Sequence, residues 1–140
     1  MSLVVMSRRS PIPWWTPSLG EREKSLVCEV IDRQFPNDGE YTTLFEQRIA
    51  ASCGVPYAVA VTSGTAAMFL ALAGCGVGPG DEVIVPDLTF IATANAVKLA
   101  GATPVLVDVR EDDFTIDLHQ VEMAITDRTR AVMPVHVSGR

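Results

Sequence analysis

The segment from Val59 to Leu70 has the sequence VAVTSGTAAMFL, and it decides the fold of the chain. Its first residues belong to a short, valine-rich apolar run, Tyr57 to Thr62, which is typical of a strand buried on both faces. Its last residues open an alanine-rich stretch, Ala66 to Ala73, with the composition of a buried helix. The sequence therefore predicts a strand, a tight turn and a helix, which is the repeating unit of a parallel α/β fold.

The turn between them, Ser63-Gly64-Thr65, is a candidate anion site. Gly64 lets the backbone approach a ligand closely, and Thr65 is expected to cap the helix. The free N–H groups of the first helical turn would then point at a negatively charged group such as a phosphate. Small residues are also what any strand-to-helix turn tolerates. Because the tripeptide matches neither the GxxxxGK[ST] loop nor the GxGxxG fingerprint, it is weak evidence by itself.

Composition predicts an ordinary globular domain, since 48% of the 140 residues are hydrophobic and 20% are charged. The net charge of -6 argues against nucleic acids and acidic membranes as partners. The three cysteines are widely spaced and odd in number, which favours small core residues in a reducing compartment: Cys28, Cys53 and Cys75. The apolar run Leu3 to Met6 is too short for a signal peptide, so a cytoplasmic location is expected.

The N-terminal part of the chain predicts an extended arm followed by two helices. Residues 1–20 hold three of the nine prolines and the adjacent pair Trp14-Trp15, so no regular helix is expected there. The tryptophans would pack on the chain's own core, against a partner subunit or at the rim of a ligand cleft. Amphipathic patterns predict helices over Gly20 to Arg33 and Thr43 to Cys53, with Gly54 as a C-terminal stop.

Strand and helix patterns alternate through the rest of the chain. Strands are predicted at Glu82 to Val85, Pro104 to Val109 and Ala131 to Val137. Helices are predicted at Ile91 to Ala100, ended by Gly101, and from Asp117 through Ile125, where Asp117 and Gln120 have capping-box spacing. This order predicts a mostly parallel sheet with helices on both faces and right-handed crossovers.

Polar and aromatic residues follow the ends of the predicted strands, where ligands collect in parallel sheets. They are expected along one edge of the sheet, where together they could line one site: Ser63-Gly64-Thr65, Thr89-Phe90, Asp108 and His136. A phosphate cradle beside the ring of Phe90 suits a flat, phosphorylated aromatic cofactor better than a sugar phosphate, because stacking requires a ring.

The remaining polar residues are weaker candidates for a site. Asp108 is expected mainly to make local hydrogen bonds in a turn, and Asp87 is a similar turn residue that could also reach a substrate. His136 would face either the cleft or a neighbouring helix, whereas His119 is expected to be solvated on a polar helix face. No cluster has metal-ligand spacing, so no metal is expected.

Several motifs in order resemble the DegT/DnrJ/EryC1/StrS family of pyridoxal-phosphate aminotransferases. The resemblance runs from about Ile12 to the last residue, and these segments carry it: Gly39-Glu40-Tyr41 before Phe45-Glu46, the Ser-Gly-Thr turn, Gly80 to Pro86, Thr89 to Thr93, Gly101 to Val105 and Val135-His136. It implies that residues 21–140 are the leading, incomplete part of the large domain of a fold-type I transferase. That domain has an α/β fold with a mostly parallel sheet and flanking helices.

The same resemblance implies a cofactor and a reaction. Pyridoxal 5'-phosphate would be bound at its phosphate by Gly64 and Thr65, with Ser63 beside them, and Phe90 would stack on the pyridine ring. An amino group would move from an amino acid, typically glutamate, to a keto group of a nucleotide-linked sugar, in the biosynthesis of a polysaccharide or an antibiotic sugar. The resemblance also implies a homodimer.

The sequence departs from the family where the catalytic residues are concerned. The lysine that the family joins to its cofactor, and the aspartate that pairs with the pyridine nitrogen, would both lie beyond Arg140. The two lysines of the chain, Lys24 and Lys98, match neither position, and Lys98 is expected to be a solvated charge. No catalytic residue is therefore expected in this chain.

The expectation is accordingly a leading segment of an aminotransferase, and two alternatives stay open. One is a truncated, catalytically silent remnant that retains an anion-binding turn, and the other is a family dehydratase with histidine in place of the lysine. In the implied fold, strands from later sequence separate the first strand, Tyr57 to Thr62, from the next three. A chain ending at Arg140 is therefore expected to expose a strand edge and apolar faces.

Overall fold

A computed structural model describes residues 13, 16–34, 36 and 39–140. The described helices and strands are, in chain order, α1 (Glu21–Asp32), α2 (Glu40–Cys53), α3 (Gly64–Gly74), β1 (Glu82–Pro86), α4 (Ala92–Leu99), β2 (Thr103–Val107), α5 (Leu118–Ala124) and β3 (Thr129–Val132). The chain divides into two units, Met1–Ala58 and Val59–Arg140. Residues 1–12 of the predicted arm and the Trp14-Trp15 pair lie outside the described residues.

The first unit contains the two helices that the amphipathic patterns predict. Helix α1 starts after Gly20, whose amide donates to the Glu23 carboxylate at 2.7 Å. Helix α2 starts before the predicted Thr43, since Glu40 is already helical, and it ends at the predicted stop, where Gly54 has a φ of +66°. No residue of α1 is buried, so its apolar side chains lie at the surface of this unit.

The second unit is built on a parallel three-stranded sheet with the order β2-β1-β3. The predicted α/β class and parallel sheet are therefore confirmed. Strand β1 lies in the centre and is buried along its whole length. Its side chains alternate between the two faces of the sheet, so each face receives part of an apolar core.

The two cores are distinct clusters of apolar side chains. Val83 and Val85 of β1 pack on one face with residues of α3, α4 and the segments that follow these helices: Leu72, Val77, Ala96, Val97 and Ala102. Ile84 packs on the other face with Val107, Ile116 and Val121 of the following segments. The α3 and α4 helices thus share one side of the sheet and lie against each other.

The predicted first strand, Tyr57 to Thr62, is wrong for the described structure, in which these residues have no regular secondary structure. Tyr57 is 85% exposed and Val59 is 78% exposed. A parallel strand is stabilised by hydrogen bonds to its neighbours, and the described sheet consists of β1, β2 and β3 alone. An apolar, β-branched run is therefore not sufficient to form a strand here.

The predicted strand from Ala131 to Val137 is also wrong in its bounds, since β3 runs from Thr129 to Val132. Pro134 has no N–H to donate to a neighbouring strand, which explains the early end. A short 3-10 turn at Val137–Gly139 follows, with Ser138 in the left-handed region at a φ of +54°. Strand β2 likewise stops at Val107, before the predicted end.

Helix α5 begins as predicted after Asp117, but the capping contact differs from the prediction. The Asp117 carboxylate accepts from the amide of His119 at 2.9 Å, whereas the capping-box spacing predicted a partner at Gln120. The helix ends at Ala124, one residue before the predicted Ile125. The spacing therefore located the start of the helix and not its hydrogen bonds.

The cysteines are not core residues, contrary to the prediction, because all three have exposed side chains. Cys28 lies on the unburied helix α1, Cys53 is the last residue of α2, and Cys75 follows the end of α3. Apolar neighbours in sequence therefore did not place the cysteines in the core.

No helix in the described part of the chain combines the length and the apolar character that a membrane span requires.

Candidate functional site

The candidate anion site lies at the start of helix α3, where the strongest motif of the sequence is found. Ser63 caps the helix: its backbone is extended, with a φ of -161° and a ψ of 160°, and its hydroxyl accepts from the amide of Ala66 at 3.1 Å. Gly64 and Thr65 are already helical, so the prediction that Thr65 caps the helix is wrong. Since Ser63 has the extended backbone of an N-cap residue, it takes that role instead.

Two amides of the first turn of α3 have no hydrogen-bond partner among the described residues. The amides of Gly64 and Thr65 make no hydrogen bond to any other described residue, whereas Ala67 donates to the Ser63 carbonyl at 3.0 Å. The first turn carries no acidic residue that would occupy this position. Ser63 and Gly64 are exposed and Thr65 is half-buried. Unpaired amides at the positive end of a helix form a site for an anion such as a phosphate.

Gly64 leaves open space beside these amides. A Cβ atom built on Gly64 would meet no atom within 4 Å. The glycine is therefore not demanded by internal packing, and its missing side chain leaves the helix start accessible. A phosphate group bound there would approach the backbone without a steric barrier from this residue.

Phe90 lies in the loop that joins β1 to α4, and its ring is 79% exposed. The loop is held by two threonines that the sequence analysis did not single out as a pair. The hydroxyls of Thr89 and Thr93 are 2.8 Å apart, and the amide of Thr93 donates to the Phe90 carbonyl at 3.1 Å. The spacing of the two threonines by four residues is the signal that would have found them.

Thr65 also lines a shallow pocket of about 330 Å³, together with Asn95, Lys98 and Leu99 of helix α4. The structure therefore brings the start of α3 beside α4, the helix that Phe90 precedes. Phe90 is not among the residues that line this pocket. The two predicted parts of the site, the turn and the aromatic ring, belong to neighbouring helices on one side of the sheet.

The weaker candidates make local contacts. Asp108 follows β2, and its carboxylate accepts from the amide of Val109 at 2.7 Å, which is the local turn bond that the sequence predicts. Asp87 is exposed after β1, and its amide donates to the Val107 carbonyl at 2.9 Å. Among the described residues, neither carboxylate forms a hydrogen bond to the α3 turn.

His136 was expected at the end of a strand, and that expectation is wrong. Because β3 ends at Val132, His136 lies in the irregular segment beyond it. Its Nδ1 atom is 2.7 Å from the Arg140 carbonyl, so the imidazole closes a local turn at the surface. His119 is exposed on α5, as predicted.

Both lysines of the chain have exposed side chains. Lys24 pairs with Glu21 at 2.6 Å on the exposed surface of α1. Lys98 is exposed on α4, as predicted. Within the described ranges, no three histidine, cysteine, aspartate or glutamate side chains are grouped in a way that would hold a metal ion.

A charged cluster in the first unit was not predicted. The Tyr41 hydroxyl donates to the Glu29 carboxylate at 2.7 Å, and Arg33 donates to Glu29 and also to Glu40, the latter at 2.6 Å. The hydrogen bond from Tyr41, with help from the Arg33 charge, lowers the pKa of Glu29. The same hydrogen bond raises the pKa of Tyr41. The spacing of Glu29 and Arg33 by four residues in α1 is the sequence signal for this cluster.

The comparisons with known proteins point to one family. The model of the DegT/DnrJ/EryC1/StrS aminotransferase family matches residues 17–140. The GDP-perosamine synthase of Caulobacter vibrioides is 47% identical over 125 residues, which are 89% of this chain and 34% of that protein.

Two solved structures show the same relation in three dimensions. DesV from S. venezuelae is 46% identical and superposes with a TM-score of 0.76, over 86% of this chain and 33% of its own. NtdA from Bacillus subtilis, solved with the cofactor PMP bound, is 34% identical with a TM-score of 0.78, over 87% of this chain and 29% of its own. The chain thus spans about a third of the length of these relatives.

Proposed function

Since the chain belongs to the DegT/DnrJ/EryC1/StrS aminotransferase family, we propose that its protein is a pyridoxal-phosphate-dependent aminotransferase. The proposed acceptor is a keto group of a nucleotide-linked sugar, and the proposed donor is an amino acid, with glutamate as the first choice. A relative named GDP-perosamine synthase supports the acceptor class, because its product is an amino sugar joined to a nucleotide.

The observation that carries the proposal is the start of helix α3. The amides of Gly64 and Thr65, which have no partner in the described part of the chain, lie in the first turn, and the exposed Ser63 lies beside them. These groups fit the phosphate of the cofactor, because a phosphate accepts several hydrogen bonds and its charge is favoured at a helix N-terminus. The phosphate would be held by Gly64 and Thr65, with Ser63 beside it.

Phe90 would contact the flat face of the cofactor ring. Its side chain is exposed and sits before α4, the helix that packs against α3. An aromatic side chain covers one face of a bound ring, which orients the ring and excludes water from that face. When bound, pyridoxal phosphate supplies the electron-withdrawing ring and the carbonyl group that make amino transfer possible. Lys24 and Lys98 have no role in the proposal.

The phosphate site is tested by removing one amide while keeping the helix. Gly64→Pro deletes the N–H at the first helical position, where proline is tolerated, and the extended backbone of Ser63 suits a residue before proline. We expect weaker binding of both inorganic phosphate and pyridoxal phosphate, measured by titration calorimetry. Leu118→Pro, at the first position of α5, is the matched control and should leave both affinities unchanged.

The activity is tested on the protein expressed from its complete reading frame. We expect the purified protein to bind pyridoxal phosphate with a visible absorbance band, and to keep the cofactor covalently after borohydride reduction, seen by intact mass. With glutamate and a 4-keto or 3-keto nucleotide sugar, an amino sugar nucleotide should form. Binding of phosphate without any cofactor retention or amino transfer would instead support the silent remnant, and loss of a sugar hydroxyl without amination would support the dehydratase.

We also propose a homodimer, which the family resemblance implies. Sedimentation velocity of the same protein across a range of concentrations measures it directly. A concentration-independent monomer would contradict this part of the proposal and leave the cofactor site unaffected.

A further inference from the structure

Thr93 is a buried polar residue that the proposed function does not use. Its side chain is only 4% exposed, which is unusual for a threonine in the first turn of a helix beside an exposed loop. Its hydroxyl is 2.8 Å from the hydroxyl of Thr89, and its amide donates to the Phe90 carbonyl at 3.1 Å. Thr93 thus makes hydrogen bonds to both Thr89 and Phe90 in the loop that carries the exposed ring of Phe90.

The second threonine of the pair continues the connection to Phe90. The Thr89 hydroxyl lies 3.4 Å from the Phe90 carbonyl, within reach of a long hydrogen bond. If Thr93 donates to Thr89, and Thr89 donates onward to Phe90, each hydroxyl has one role and the donor directions agree. The Phe90 carbonyl then accepts from the Thr89 hydroxyl and from the Thr93 amide, while its ring stays exposed.

Helix α4 lacks an ordinary side-chain cap. The residue before the helix is Ile91, which has no side-chain oxygen and makes no side-chain cap hydrogen bond. Helix starts normally rely on serine, threonine, aspartate or asparagine at that position. The threonine pair spans the start of the helix and is the side-chain hydrogen bond that links the loop to the first turn.

We propose that Thr93 is a positioning residue for the cofactor ring, acting through Thr89 and the Phe90 backbone. The inference rests on the proposed function, since it assumes that Phe90 stacks on pyridoxal phosphate. Thr93 does not touch the cofactor. It fixes the backbone of the loop, so the ring of Phe90 is presented in one orientation before the cofactor arrives, which lowers the ordering cost of binding.

The first test measures the loop without any cofactor. Thr93→Val keeps the shape of the side chain and removes the hydroxyl, and amide hydrogen exchange by mass spectrometry reports opening of residues 87–93. We expect faster exchange there in Thr93→Val and in Thr89→Val, and normal exchange in Thr93→Ser. Thr89→Val keeps the test available if Thr93→Val does not fold, because Thr89 is only half-buried. Unchanged exchange in both valine variants would overturn the inference.

The second test asks whether the hydroxyl matters to the ring and not to the phosphate. In the protein from the complete reading frame, Thr93→Val should weaken pyridoxal phosphate binding by about two- to tenfold, the effect of one hydrogen bond. It should leave inorganic phosphate binding unchanged and reduce the circular dichroism of the bound cofactor. Thr103→Val, which alters an exposed threonine of β2, is the matched control.

A double-mutant comparison separates positioning from general structure. If Thr93 acts through Phe90, Thr93→Val should have no further effect on cofactor affinity in a Phe90→Ala background. An equal loss in both backgrounds would overturn the inference. A wild-type protein that binds pyridoxal phosphate no better than inorganic phosphate would instead overturn the proposed function, and the exchange experiment would then decide the role of Thr93 in the loop by itself.

Discussion

In the first unit of the chain, the contact between Tyr41 and Glu29 changes the pKa of both side chains. Glu29 has a lowered pKa, chiefly because the Tyr41 hydroxyl donates to it. Ionised Glu29 therefore contributes to the stability of the fold above its ordinary pKa of 4.5, and this contribution is lost as the pH falls through the lowered pKa. Tyr41 has a raised pKa, so its neutral hydroxyl contributes to the stability of the fold below the ordinary pKa of 10.0. This contribution is lost as the pH rises through the raised pKa. The contact therefore stabilises the unit over a broad neutral range.

Tyr41→Phe tests this contact, because it removes the donating hydroxyl and keeps the ring. We expect the pKa of Glu29 to rise toward 4.5, measured by NMR titration of its side-chain carboxyl carbon. Tyr57→Phe is the matched control, since Tyr57 is 85% exposed and should leave the Glu29 titration unchanged. A Glu29 pKa that stays low in Tyr41→Phe would show that Arg33 alone holds it down.

Two glycines give opposite predictions for the same substitution. Gly101 has a φ of +81°, and a Cβ there would lie 3.1 Å from Cγ of Pro79. Gly101→Ala should therefore destabilise the protein by about 1–2 kcal/mol or more. Gly74 is helical with open space around it, so Gly74→Ala should stabilise by about 0.5–1 kcal/mol. Urea denaturation of both variants measures the difference, and equal signs would contradict the conformational explanation.

At the scale of elements, helix α3 joins the core to the candidate site. Its Leu72 is buried at 5% exposure in the cluster with Val83 and Val85, whereas Leu70 on the same helix is 49% exposed. The helix therefore has one face packed on the sheet side while its N-terminus stays open. Packing of this face fixes the direction in which the amides of Gly64 and Thr65 point.

Leu72→Ala should cost about 2–5 kcal/mol of unfolding free energy, because it leaves a cavity in the core. Leu70→Ala makes the same chemical change at the surface of the same helix and should cost about 0.5 kcal/mol or less. Denaturant unfolding followed by far-ultraviolet circular dichroism measures both values. Similar losses in the two variants would mean that α3 does not pack on the sheet as described.

At the scale of the whole molecule, the negative charge bounds the kind of anion site that can form. The net charge is -6 and the isoelectric point is about 4.8, so the net charge does not attract a phosphate to the chain. The candidate site therefore depends on local groups at the start of α3 and not on attraction by the net charge of the chain. Helix α1 and residues 57–61 also expose apolar side chains. The net negative charge opposes association of copies of the chain through this apolar surface.

Solubility should follow this charge. We expect a solubility minimum near pH 4.8, with recovery on both sides as the net charge departs from zero. The turbidity of the purified chain, recorded from pH 3.5 to 8 in steps of about one pH unit at constant ionic strength, measures this minimum. A minimum far above pH 5 would indicate that apolar surface, and not net charge, limits solubility.

The sequence by itself determined the properties that depend on neighbouring residues. The amphipathic patterns located α1 and α2, Gly54 and Gly101 ended their helices, and the buried valines of β1 identified the central strand. Short-range sterics, capping and side-chain alternation set these features, so they can be read locally. The Ser63-Gly64-Thr65 turn was found in the same way, because the start of a helix can be recognised from a few consecutive residues.

Only the tertiary structure decided the features that depend on distant partners. The apolar run from Tyr57 to Thr62 has strand composition, but strand geometry comes from hydrogen bonds to a neighbour, and no neighbour is encoded in the run itself. Ser63 replaced Thr65 as the cap because backbone dihedrals, not residue type, select the capping position. The Glu29–Tyr41 contact, which joins residues twelve apart in the sequence, became visible only when folding brought their oxygen atoms within hydrogen-bond distance.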